Sequence, residues 1–158
     1  MSQYWFIAAD YPLEEVDLSG FVKIKVRDIK KMNPLPSGPI SFDKLDEDME
    51  VLYSSNEEET GGLIVSICSN PPYGLYGYIK RKYIYWLQGN NLDSKWHKQL
   101  SDYLSENINK GTQVEIWSIL FGAGLQTIPH KEIKFSDFNS INFRILTSTN
   151  NCISICME

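Results

Sequence analysis

Cysteine, histidine and long apolar runs are all scarce in this chain, and each shortage excludes something. Three cysteines, Cys68, Cys152 and Cys156, stand in 158 residues, too few for a disulfide framework. Cys152 and Cys156 fall in a stretch that reads as a strand. At ~3.3 Å per residue they lie ~13 Å apart, beyond disulfide reach. The two histidines, His97 and His130, have no cysteine near them in sequence, so no metal-ligand spacing and no cofactor is expected. No apolar run approaches the ~20 residues that span a bilayer. The first ten residues, MSQYWFIAAD, lack the basic and apolar regions of a signal peptide. These absences predict a cytosolic protein with structural thiols and no membrane partner. Repeats and low-complexity tracts are missing too, and the length predicts a single domain over 1–158.

Charge is unevenly spread. Twenty acids face fifteen bases, a net −5. Between Asp43 and Glu59 stand eight acids (Asp43, Asp46, Glu47, Asp48, Glu50, Glu57, Glu58 and Glu59) against one base, Lys44. Elsewhere fourteen bases outnumber twelve acids, so the whole net charge comes from one short window. A concentrated acidic patch favours a basic partner and disfavours nucleic acid. Lys23, Lys25, Arg27, Lys30 and Lys31 form a basic stretch, and Lys80-Arg81-Lys82 a second. The first reads as the wet face of a strand and the second as the flank of an aromatic strand. Either can pair with the acidic window inside the molecule. Aromatics reach 13%, which suits a small core or a contact surface.

The hydrophobic pattern predicts strands at Tyr4–Ala9, Phe21–Val26, Met49–Tyr53, Leu63–Cys68, Tyr83–Leu87 and Val114–Phe121. Val114–Phe121 is apolar on both faces, as a central strand should be. The Pro- and Gly-bearing residues 32–41 and 70–77 read as loops, and 56–62 as an exposed acidic turn. One helix is predicted over about 92–109, with Leu92, Trp96, Leu100, Tyr103, Leu104 and Ile108 on one face. Asp93 or Ser94 caps its start, and Gly111 lies just past its end. Ile141–Thr147 and Cys152–Met157 are predicted to form a hairpin through Thr149-Asn150-Asn151. The sum is an α+β fold: a mainly antiparallel, curved sheet of about eight short strands with one long amphipathic helix packed on it. The strand–helix–strand unit around 83–121 is the expected source of one parallel pair.

Candidate chemistry is sparse. His97 sits one position off the helical stripe and reads as structural. His130 follows Pro129 in a loop beside Lys131 and Glu132, with no nucleophile near it in sequence. The strand Leu63–Cys68 runs into Asn70-Pro71-Pro72-Tyr73, which resembles the catalytic motif of amino-group DNA methyltransferases. That resemblance implies roles for Asn70 and Pro71 on the target amino group, Tyr73 stacked on a flipped base, and an S-adenosylmethionine turn at Gly122-Ala123-Gly124. It also implies a parallel sheet with alternating helices, whereas the predicted pattern here is antiparallel with one helix. Pro71-Pro72 ending a strand and Gly74 turning the chain account for the same residues.

A small, acidic, aromatic-rich chain without a catalytic set has the general character of bacterial immunity proteins. Val114–Phe121 after the amphipathic helix, and KEIKFSDF at Lys131–Phe138, resemble the last half of such proteins of the contact-dependent inhibition type. The resemblance covers residues 90–158 and implies a non-enzymatic inhibitor of a cognate, basic, nuclease-like protein toxin. The expected contact surface is the acidic window itself, with Tyr53, Tyr73 and Tyr76 as aromatic anchors. The alternatives are the methyltransferase-like reading and a structural interaction domain without a toxin partner.

Overall fold

A computed structural model of the chain describes residues 1–148 and 150–158. Among them are nine strands: β1 (Ser2–Ala9), β2 (Val16–Asp17), β3 (Val22–Lys25), β4 (Glu50–Tyr53), β5 (Ile64–Ile67), β6 (Tyr83–Gln88), β7 (Gln113–Phe121), β8 (His130–Lys134) and β9 (Asn151–Cys156). Four helices accompany them: α1 (Val26–Ile29), α2 (Leu75–Tyr78), α3 (Ser94–Asn107) and α4 (Ser140–Thr147). The fold is α+β with a mostly antiparallel sheet. It divides into two compact units, Met1–Leu18 with Gly61–Glu158, and Ser19–Thr60.

The larger unit holds seven strands in the order β2-β5-β6-β1-β7-β9-β8. Every neighbouring pair is antiparallel except β8–β9. Central β1 and β7 explain their own sequences. Ile7 and Ile116 face a core built with α3 and α4, while Phe6, Trp117 and Ile119 face a second core closed by Leu75 and Ile79. A strand covered on both faces has no wet side, so it reads as a continuous apolar run.

In α3 the Asp93 side chain accepts the Lys95 N–H at 2.9 Å and caps the first turn. Trp96, Leu100, Tyr103 and Leu104 fall on one face and are buried. Leu100 and Leu104 are fully buried, worth about 2 kcal/mol each. Leu92, assigned to that face from its spacing, precedes the helix and is exposed. The helix ends at an extended Ile108, and Gly111, at φ +79, serves instead the following turn, closed by the Thr112 N–H on the Asn109 carbonyl at 3.0 Å.

The C-terminal region departs from the expected hairpin. Residues 140–147 form α4. Their β-branched residues, Ile141, Ile145 and Thr147, suggested a strand. Two other features decide otherwise: Asn139 caps the helix by accepting the Ile141 N–H at 3.0 Å, and Phe143 and Leu146 bury together three positions apart. Of the expected hairpin turn, Thr149 lies outside the described residues. α4 lies between β8 and β9 in the chain, and a connection through a helix lets the strands it joins run parallel. The parallel pair is therefore β8–β9, not the strands flanking α3, which are separated by β1. Residues 75–78, read as loop, form the short helix α2.

The smaller unit is a two-stranded antiparallel sheet, β3–β4, followed along β3 by α1. Val22 stands opposite Tyr53, Ile24 opposite Val51 and Lys25 opposite Glu50. The alternation read from Phe21–Val26 holds in part. Val26 is buried and Ile24 partly so, but Val22 is 59% exposed and Val26 begins α1.

Candidate functional site

The acidic window lies wholly within the smaller unit, where nine acids face six bases. Its acids differ in surroundings. Asp43 is exposed on a 3₁₀ turn, Phe42–Lys44. The Asp46 carboxylate accepts the Asp48 N–H at 2.7 Å and shapes the turn into β4. Glu47 pairs with Lys30 at 3.5 Å. Asp48 pairs with Arg27, and with Lys25 at 3.6 Å. Glu50 stands across the strands from Lys25. The basic stretch of β3 and α1 thus neutralises the middle of the window. This is the pairing inside the molecule that the sequence allowed for the first basic stretch. These pairs are exposed and contribute about 0–1 kcal/mol each, so their effect is on surface potential more than stability.

Glu57, Glu58 and Glu59 form a second 3₁₀ turn. The Asn56 side chain caps it, accepting the Glu58 N–H at 3.0 Å. Three successive exposed carboxylates project from one turn.

Beside that turn is a groove of about 850 Å³. Phe21, Ile40, Phe42, Met49, Leu52 and Tyr53 supply its apolar surface, and Glu57 stands in its lining. Leu52 is 67% exposed and Ile40 55%. Tyr53 is half-buried on β4 and belongs to this groove. The other apolar residues were not legible as a site, because they are scattered over residues 21–53. The one sequence signal was Leu52 on the strand face opposite Val51 and Tyr53.

Tyr73 and Tyr76 belong to the larger unit. Tyr73 is fully exposed and Tyr76 is 64% exposed. The Tyr76 carbonyl accepts the Lys80 ammonium at 2.5 Å. Of the Asn70–Tyr73 tetrapeptide, Asn70 and Pro72 line a cleft with Tyr4, Trp86 and Gln88, while Tyr73 is fully exposed outside that lining. Gly122-Ala123-Gly124 leads through residues 125–129 into β8, and the Gly124 carbonyl accepts the Tyr78 hydroxyl at 3.2 Å. The parallel sheet with alternating helices implied by the methyltransferase resemblance is not present among the described residues.

The second basic stretch is not uniform either. Arg81 turns inward, donating from Nε to Glu115 at 2.8 Å and from Nη1 to Asp10 at 2.5 Å. Burial lowers its affinity for the proton, but the bonds and charges of these carboxylates outweigh that and hold it above its ordinary value. The Lys82 ammonium lies 5.2 Å from the centre of the Tyr83 ring.

His97 stacks on Phe143 at 4.2 Å, and its Nε2 lies 2.7 Å from the Asn91 carbonyl. His130 gains partners that its sequence neighbours did not show. Its Nε2 is 2.7 Å from Ser154 Oγ and 3.8 Å from Cys152 Sγ, across the β8–β9 register. Burial, then the nearby Glu115 charge, pushes the Cys152 thiol well up and disfavours its thiolate. Among the described residues no group of three or more His, Cys, Asp or Glu side chains is placed to hold a metal ion. No helix among them is long and apolar enough to cross a membrane. The chain matches no family model, no curated protein and no solved structure.

Proposed function

We propose that this chain is a non-enzymatic inhibitor of the immunity type, which captures a basic, nuclease-like protein toxin through its Ser19–Thr60 unit. The observation that carries the reading is the apolar groove of about 850 Å³ with the Glu57–Glu59 turn at its side. An apolar floor supplies contact area, and a flanking carboxylate cluster selects a partner whose apolar anchor is bordered by Lys or Arg. The negative field speeds encounter at low salt. Glu47 and Asp48 already pair with bases of the same unit, so recognition is assigned first to exposed Asp43 and to Glu57, which lines the groove. Tyr73 and Tyr76 enter only as exposed aromatic side chains of the other unit.

The test is affinity capture of the tagged chain from its native cells at low and high salt, followed by a neutralisation assay with the captured protein. Three variants share the assay: wild type, Glu57→Lys/Glu58→Lys/Glu59→Lys, and Leu52→Asp. One basic protein in equal amount, neutralised by wild type, is expected. The triple reversal should weaken binding about tenfold or more at low salt and flatten the salt dependence. Leu52→Asp should weaken it at all salt concentrations. Wild-type affinity in both variants would remove this unit from the interface.

A further inference from the structure

The larger unit carries a pair of adjoining clefts on a different set of residues. They measure about 380 and 190 Å³ and share Tyr4, Trp86 and Gln88 as common walls. Asn70 and Pro72 complete the larger cleft, and Asn91 lies in the smaller. None of the lining residues is charged, in a chain that is 22% charged.

The polar groups of these clefts fall into two sets. Trp96 Nε1 donates to the Gln88 carbonyl at 2.9 Å, Trp5 Nε1 to the Leu146 carbonyl at 2.9 Å, and Gln3 to Ser118 Oγ at 2.7 Å. These hold the walls in place. The Tyr4 hydroxyl, the Trp86 indole N–H and the side-chain amides of Asn70, Gln88 and Asn91 make no hydrogen bond to other described residues. The rings pack on one another nonetheless. Tyr4 and Trp86 meet at 5.5 Å and 70°, and Trp86 is backed by Phe6 at 4.8 Å. The result is an aromatic corner rimmed by amides with open donors and acceptors.

We propose that these two clefts bind a neutral oligosaccharide, one sugar ring in each, across the shared Tyr4–Trp86 wall. A pyranose presents an apolar C–H face to an aromatic ring, and hydroxyls that both donate and accept. Amide side chains carry both functions too, so Asn70, Gln88 and Asn91 match pairs of neighbouring hydroxyls. Other ligand classes match less well. A phosphate-bearing ligand would need a cation in the lining and a cationic ligand a carboxylate, and neither is there. A proline-rich segment offers carbonyl acceptors but lacks proline N–H donors, leaving the amide oxygens unanswered. A planar base stacks best between parallel faces, not in a corner of 70°. Concave walls, aromatic surface and a few convergent polar groups are the general form of a small-ligand site.

The test uses the full chain, labelled with ¹⁵N and titrated with cellotriose, maltotriose and triacetylchitotriose to about 10 mM, alongside a decaproline peptide. Binding of one trisaccharide with a Kd of about 1 mM is expected. Shifts should be confined to the Trp86 indole and the Asn70, Gln88 and Asn91 amides. The variant Asn70→Ala/Gln88→Ala, at two exposed positions, should keep the wild-type spectrum elsewhere and lose about tenfold in affinity. Silence with all three sugars, shifts elsewhere, or an unaltered Kd in the variant would overturn the assignment. So would decaproline moving the same signals in place of the sugars.

Discussion

Replacing Arg81 by Met tests the polar anchor that ties Arg81 to Glu115 of β7 in the larger unit. Arg81 is 22% exposed in its side chain and Glu115 only 9%. Glu115 Oε1 accepts from Arg81 and Oε2 from Trp117 Nε1 at 3.0 Å. Removing the guanidinium leaves a largely buried carboxylate with one donor. Stripping one partner from a fully buried pair costs about 3–5 kcal/mol. Here the retained indole bond and the partial exposure of Arg81 reduce that to about 2 kcal/mol. The Asp10 contact adds little, since its side chain is 63% exposed. Glu115→Gln, which keeps the indole bond and leaves Arg81 with Asp10, should cost about 1 kcal/mol. The double variant should cost less than the sum, with a coupling of about 1–2 kcal/mol. Urea unfolding followed by tryptophan fluorescence is suited to this, because Trp5, Trp86, Trp96 and Trp117 all lie in the larger unit. A loss under about 0.5 kcal/mol for Arg81→Met, or strict additivity in the cycle, would refute the anchor argument.

Two further predictions concern titration and thiol chemistry. Burial, followed by the charges of Tyr85, Glu14 and Tyr11, raises the Tyr103 phenol, whose hydroxyl donates to the Glu14 carbonyl at 2.7 Å. The unfolded chain releases that proton near pH 10 while the folded chain retains it, so stability is present below about pH 10 and falls as pH rises beyond it. Urea midpoints across that range should fall more steeply for wild type than for Tyr103→Phe, and parallel slopes would contradict the assignment. Alkylation of the folded protein near pH 8, mapped by mass spectrometry, should modify half-buried Cys68 and Cys156 about tenfold or more faster than Cys152, which is 1% exposed. Equal rates would mean that Cys152 is accessible.

Local chemistry carried much of the fold into the sequence. α3 was legible because Trp96, Leu100, Tyr103 and Leu104 recur at helical spacing behind a capping Asp93. β7 was legible because both of its faces are apolar. α4 was not, because its β-branched residues outweighed a short stripe of Phe143 and Leu146, whose value depends on the sheet beneath them. The parallel β8–β9 pair followed from that helix and was misplaced with it.

By itself the sequence determined the α+β class, the central strand, the principal helix, and a concentration of acids at 43–59. These depend on periodicity and charge within short windows. Only tertiary structure decided that Glu47 and Asp48 meet Lys25, Arg27 and Lys30 while the Glu57–Glu59 turn stands beside an apolar groove. Only tertiary structure brought His130 to Ser154, and Tyr4 to Trp86 beside Asn70 and Gln88. Those pairings are set by strand register across residues far apart in the chain, and a one-residue slip would turn each side chain to the other face.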